Sequence, residues 1–145
     1  MMIRNILLTG FAAAAMGAAL PASAATVLDV DVIGPGGHSN GDYGNVNAVH
    51  AAARAVLEIT RAAPDVMISN ERGGVSVNAI AADAHLRVTL PAGLAPDALK
   101  AKVETVKRAV ERGCTAENDF RGVKPGDVVK GLRKDIRCSV TEKTL

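Results

Sequence analysis

Ile80-Ala-Ala-Asp-Ala-His-Leu-Arg-Val-Thr-Leu90 is the stretch that decides the fold. Ile80, Ala82, Ala84, Leu86, Val88 and Leu90 alternate with Asp83, His85, Arg87 and Thr89. That period of two belongs to a strand with one buried and one wet face. Just upstream, residues 65–72 form a shorter run with Val66 and Ile68 on one face, and Gly73-Gly74 breaks it. Two strands are therefore expected in succession, with a connection long enough for a hairpin or an offset pair.

Each side of this strand pair carries a helical pattern. Upstream, Val46, Val49, Ala53, Val56 and Leu57 fall at helical spacing over residues 45–61, and Pro64 marks the end. Downstream, a helix is predicted to begin near Pro96, to carry Leu99, Val103, Val106 and Val110 as its apolar stripe, and to end at Gly113 as a C′ residue. Its charged residues, from Lys100 to Arg112, read as a solvated face with i,i+4 pairing. At the outer ends, Leu28, Val30 and Val32 alternate with Asp29 and Asp31 in a first strand, and Ile136, Cys138 and Val140 share one face of a last one. Residues 115–131 are polar, contain Gly122, Pro125 and Gly126, and read as a loop. The order is β-α-β-β-α-β. It predicts an α+β, ferredoxin-like two-layer sandwich: a four-stranded antiparallel sheet with two helices on one face.

Residues 1–24 read as a secretory signal peptide, with Arg4, an apolar run from Ile6 to Leu20, and Pro21-Ala-Ser-Ala24 as the cleavage pattern. The expectation is an exported, periplasmic or secreted protein, with no membrane attachment after cleavage and a single domain over residues 25–145. Without Arg4, the 17 basic residues of the whole chain fall by one, against 15 acidic ones. So small a net charge gives no electrostatic case for nucleic acid or membrane partners. Tyr43 and Phe120 are the aromatics of the mature part, so the core must be aliphatic and base-stacking platforms are absent. Cys114 and Cys138 are expected to pair in an oxidising compartment, because the buried face of the last strand aims Cys138 at the helix layer. Closing that loop contributes roughly 3–4 kcal/mol in the chain-entropy view. Neither cysteine has a second Cys or His at ligand spacing, so no metal site is expected.

The stretch that looks like a site is Gly34-Pro-Gly-Gly-His-Ser-Asn-Gly-Asp-Tyr-Gly-Asn-Val-Asn-Ala48, dense in glycine and carrying His38. Such a loop can bring main-chain N–H groups close to a ligand. Taken together, Gly36-Gly37-His38-Ser39, then Asn47-Ala48 at the head of a helix, then Gly73-Gly74-Val75-Ser76-Val77-Asn78-Ala79-Ile80 resemble a known family. They look like the dimerisation or lid domain of the zinc-dependent metallopeptidases that include aminoacylase, acetylornithine deacetylase, succinyl-diaminopimelate desuccinylase and carboxypeptidase G. The phrase Ala116-Glu117-Asn118 is similar to the di- and tripeptidase-like branch, and the resemblance spans roughly residues 27–120.

That resemblance implies a histidine, His38, that reaches a zinc active site, often of the other subunit, and helps stabilise a developing oxyanion. It implies Asn78 as a second substrate-binding candidate, and it implies self-association through an edge strand and an adjacent helix. Two positions depart from the family pattern: Ala81 stands where a proline is usual and Pro91 where a carboxylate-binding arginine is usual. The zinc ligands and the catalytic domain are not found in this sequence. His38, His50 and His85 fall in a loop, on a helix and on a strand, and Ser39 has no carboxylate orienter, so no catalytic residue, cofactor or metal is expected in the chain alone. Zinc would belong to a catalytic partner chain.

For His38 and Asn78 a bland reading stands beside the sharp one, a solvated loop histidine and an asparagine satisfying a turn. Three functional readings follow: a non-catalytic module that forms a homodimer, an accessory lid that lends His38 to a separate zinc peptidase or amidohydrolase chain, and a degenerate remnant of a metallopeptidase.

Overall fold

The computed structural model describes residues 25–145. The signal-peptide reading of residues 1–24 lies outside them. The elements are β1 (Thr26–Ile33), β2 (Gly37–His38), α1 (Ala48–Ala62), β3 (Met67–Gly73), β4 (Ala79–Ile80), β5 (Asp83–Thr89), α2 (Pro96–Phe120), β6 (Val128–Val129), β7 (Leu132–Arg133) and β8 (Arg137–Thr144). The main sheet has the order β3-β5-β1-β8 and every pairing in it is antiparallel. Its frame, β1-α1-β3-β5-α2-β8, is the β-α-β-β-α-β sandwich read from the sequence. The short pairs β2-β4 and β6-β7 are additions to that frame.

Period-two patterning aims Leu28, Val30 and Val32 of β1, and Leu86 and Val88 of β5, at the helices. There they pack with Ala51, Ala52 and Ile59 of α1 and Val103, Val106 and Val110 of α2. All of these side chains are buried. With no large aromatic in this cluster, the core depends on close approach of small and branched side chains.

Five local expectations are corrected. α1 begins at Ala48, not Asn45, because Asn47 caps it: its Oδ1 accepts from the N–H groups of Val49 at 2.9 Å and His50 at 3.3 Å. The expected second strand shifts to Met67–Gly73. The strand that opened the sequence reading divides at Ala81, so Ala79-Ile80 pairs with the glycine loop while Asp83–Thr89 joins the main sheet. α2 does not stop at Gly113 but continues to Phe120, taking the first residues of the expected loop. Gly113 is an interior residue where α2 crosses α1: a Cβ there would lie 2.4 Å from the Ala55 backbone.

The fifth correction concerns charge. Asp29, expected on a wet face, is buried beneath Arg87 and Lys143 of the flanking strands. The charged face of α2 pairs largely outward, Lys102 with Asp65 and Arg112 with Glu58 of α1, beside one local pair, Glu104 with Lys107. Among the described residues no helix is long and apolar enough to cross a membrane.

Candidate functional site at the β2–β4 ribbon

The glycine loop leaves β1 and turns back on itself so that Gly37 pairs with Ile80 and His38 with Ala79. Gly36 and Gly37 have φ of 68° and 147°, and their backbones pass so close to Ala82 and Asp42 that a Cβ would lie 2.8 Å and 2.7 Å from those side chains. Positive φ and the close approach together call for glycine at both places. The ribbon is prolonged by Ser39 N–H donating to Asn78 O at 2.9 Å. A tight turn follows, in which His38 O accepts from the N–H groups of Gly41 at 3.1 Å and Asp42 at 2.8 Å. Asp42 in turn accepts from His38 N–H through Oδ2 at 3.0 Å. That bond, with Lys130 at 3.6 Å, holds the Asp42 carboxyl below the usual carboxylate range.

The two residues singled out in the sequence, His38 and Asn78, are brought into contact: Asn78 Nδ2 lies 3.2 Å from His38 Nε2. On the other side of the ring, Asn40 N–H donates to Nδ1 at 3.2 Å. A nitrogen that accepts carries no proton, so neutral His38 bears its hydrogen on Nε2. Asn78 satisfies that hydrogen when its amide presents oxygen to the ring and its NH2 to Ser76 Oγ, whose distance to the Asn78 amide is 2.8 Å. The pair is exposed, so the Nε2–H of His38 can pass to an approaching acceptor only by exchanging the Asn78 oxygen for it.

The other two histidines do not join the His38–Asn78 contact. His50 is in the first turn of α1 and exposed. His85 is on the open face of the sheet, with Nδ1 2.9 Å from Asp31 Oδ1. Among the described residues no group of three or more His, Cys, Asp or Glu side chains is placed to hold a metal ion. Ala81 is buried, and its carbonyl accepts from Ala48 N–H at 3.0 Å, tying the ribbon to the start of α1.

Behind the ribbon lies a cluster that sequence reasoning did not single out as functional. Glu117 of α2 is fully buried. It accepts from Arg54 Nε at 3.0 Å, Arg121 Nε at 3.3 Å and the backbone N–H of Asn47 at 3.2 Å. Arg54 and Arg121 both stack on Phe120, at 4.9 Å and 5.0 Å from its ring centre. The available signal was Glu117 and Arg121 at i,i+4, which by itself marks only a surface pair. Near this end of α2, Cys114 is disulfide-bonded to Cys138 of β8, with Cα atoms 6.5 Å apart.

A family profile of the peptidase dimerisation domain matches residues 24–115. The chain belongs to the peptidase dimerisation domain family. The matched residues of this dimerisation domain include β1, the ribbon with His38 and Asn78, and most of α2; Glu117, Arg121 and β8 follow them. Solved structures share its fold. An aminobenzoyl-glutamate utilization protein from Klebsiella pneumoniae aligns with a TM-score of 0.60 at 18% identity, over 85% of this chain and 31% of that one. A tripeptidase from Staphylococcus aureus aligns with a TM-score of 0.58 at 15% identity, over 83% and 29%. A hydantoinase/carbamoylase family amidase from Burkholderia ambifaria gives 0.54 at 23%, over 84% and 28%. The dimerisation domain thus spans about 30% of the length of such proteins. No curated protein matches its sequence.

Proposed function

We propose that this dimerisation domain is an exported, non-catalytic self-association module whose two copies join sheets edge to edge through β3. The supporting observation is the position of β3: it is an outer strand of the main sheet, and α1 packs beside it. An outer strand presents unpaired N–H and C=O groups that a second copy can complete. Its charged residues lie towards the C-terminal end, Glu71 inside the irregularity between Ser69 and Arg72 and Arg72 at its close, which leaves Met67-Ile68-Ser69 as the regular pairing segment. Export is suggested by residues 1–24 and suits a domain held by a disulfide. Light scattering should return a dimer at micromolar concentration, and the double variant Met67→Lys, Ser69→Lys should return a monomer with an unchanged far-UV spectrum. A wild-type monomer at high micromolar concentration would overturn this reading.

The paired His38 and Asn78 favour a second reading, in which the domain lends His38 to a separate zinc peptidase or amidohydrolase chain. The zinc would then be the partner's, and His38 Nε2–H would donate to an oxyanion forming there. Alone the protein should hydrolyse neither peptides nor N-acyl amino acids. Mixed with a lidless catalytic chain it should restore activity, and His38→Ala should remove on the order of a hundredfold of that gain. A gain indifferent to His38→Ala would remove the role.

A further inference from the structure

We propose that a small cavity behind the β2–β4 ribbon is a binding site for a small organic carboxylate, with Arg121 as the residue that recognises it. The cavity has a volume of about 210 Å³, opens to solvent on one side, and is bordered by the glycine loop, the start of α1, β4 and the C-terminal end of α2. This is below the roughly 300–1,000 Å³ of sites that enclose a whole drug-sized molecule. It has room for about seven waters at about 30 Å³ each, enough for a carboxylate with a short carbon chain.

The charge of the walls selects the ligand class. Among the described residues the lining includes Arg121 and His50 but no Asp or Glu. Immediately behind, the single carboxylate of Glu117 is shared by two guanidiniums, Arg54 and Arg121, so the cluster keeps a net positive charge. Among the described residues Arg121 reaches Glu117 only through Nε, which leaves its outer Nη edge, the edge that binds a carboxylate in two-pronged fashion. Phe120 stacks under the guanidinium and the Glu117 bond fixes its Nε, so the group is held in place before a ligand arrives. Ser39 and His50 add hydrogen-bonding groups at the same cavity, and Ala79 and Ile80 give it an apolar wall for the carbon chain. Neutral isosteres lose the two-pronged contact and the attraction of the net charge.

The site is independent of self-association and is tested on the protein by itself. Butyrate and its neutral isostere butyramide are titrated while backbone amide resonances are followed by NMR. Butyrate is expected to shift Ser39, Gly44, Ala79 and Arg121 with millimolar affinity, and butyramide to bind at least tenfold more weakly. Arg121→Gln should weaken butyrate on the order of tenfold, whereas Arg108→Gln, on the same helix but away from the cavity, should leave it unchanged. Because Arg121→Gln also removes a partner of Glu117, its folding is checked by thermal melting, and Ala79→Leu supplies a second variant that fills the cavity without touching the charges. Equal binding of acid and amide, no shifts up to tens of millimolar butyrate, or butyrate binding that survives Ala79→Leu would each overturn the proposal.

Discussion

Gly113 of α2 lies directly on the backbone of Ala55 in α1, so close that a Cβ at position 113 would stand 2.4 Å from both the N and the Cα of Ala55. Backbone cannot yield as a flexible side-chain tip can. Although Ala is the better helix former by up to about 1 kcal/mol, Gly113→Ala should destabilise the fold by roughly 1–3 kcal/mol through overpacking. The check is a urea titration: a lower midpoint is expected, and an equal or higher one would show that α2 can move off α1.

Asn118 joins α2 to the approach of β8 by bonding Ile136 twice: its Nδ2 donates to Ile136 O at 3.1 Å and its Oδ1 accepts from Ile136 N–H at 2.7 Å. The contact is buried. Asn118→Leu leaves both main-chain groups without partners, at about 1–3 kcal/mol each, and hydrogen exchange at Ile136 and along β8 should speed up before that of β1. Uniform exchange across the sheet would count against a local anchor.

The Cys114–Cys138 bond closes a loop with a sequence separation of 24. Loop entropy then assigns it about 3 kcal/mol, and Cys114→Ala with Cys138→Ala should lower the melting temperature by several degrees. Non-reducing mass spectrometry of the protein is expected to find the bond and no free thiol.

Acid should weaken the sheet through Asp29. Hydrogen bonds from Arg87 and then Lys143 hold its carboxyl well below the ordinary value of 3.8, against the opposing effect of burial. A group depressed in the folded state contributes stability above its unfolded value, and that stability is lost as pH falls through the folded one. The contribution of Asp29 should therefore be complete at neutral pH and decline below about pH 4. Arg87 and Lys143 are partly solvated, which moderates the interaction, so Asp29→Asn should cost about 1–2 kcal/mol at pH 7. In the variant the dependence of stability on pH below 4 should be flatter, measured by denaturant titrations at several pH values; an unchanged slope would assign acid sensitivity to other groups.

Much of the fold was legible because its signals are short-range. Thr26–Ile33 reads as a strand from eight consecutive residues, and Ile136, Cys138 and Val140 share a face by simple alternation. The order of strands and helices follows from the same kind of signal, whereas the pairing of the two cysteines rested on the expected oxidising compartment and on the buried face that carries Cys138. Gly113 was misread for the converse reason. A glycine after an apolar stripe is a stop signal in isolation, and only the crossing of α1 makes it an interior contact. In the candidate site, the glycine loop pointed to His38, and Asn78 could be paired with it through a family resemblance. Glu117 and Arg121 stayed hidden because a charged i,i+4 pair looks the same on a wet face as over a buried one.

By itself the sequence determined the order of the six main elements, the apolar face of β1, β5 and β8 and the glycine-rich loop with its histidine, because periodicity and turn chemistry act over a few residues. The tertiary structure alone decided which charges are buried. Asp29 meets Arg87 and Lys143 across 58 and 114 residues of chain, and Glu117 meets Arg54 and Asn47 across 63 and 70. Whether a carboxylate is solvated or enclosed depends on partners that arrive from separate elements, and no local pattern records where those partners will be.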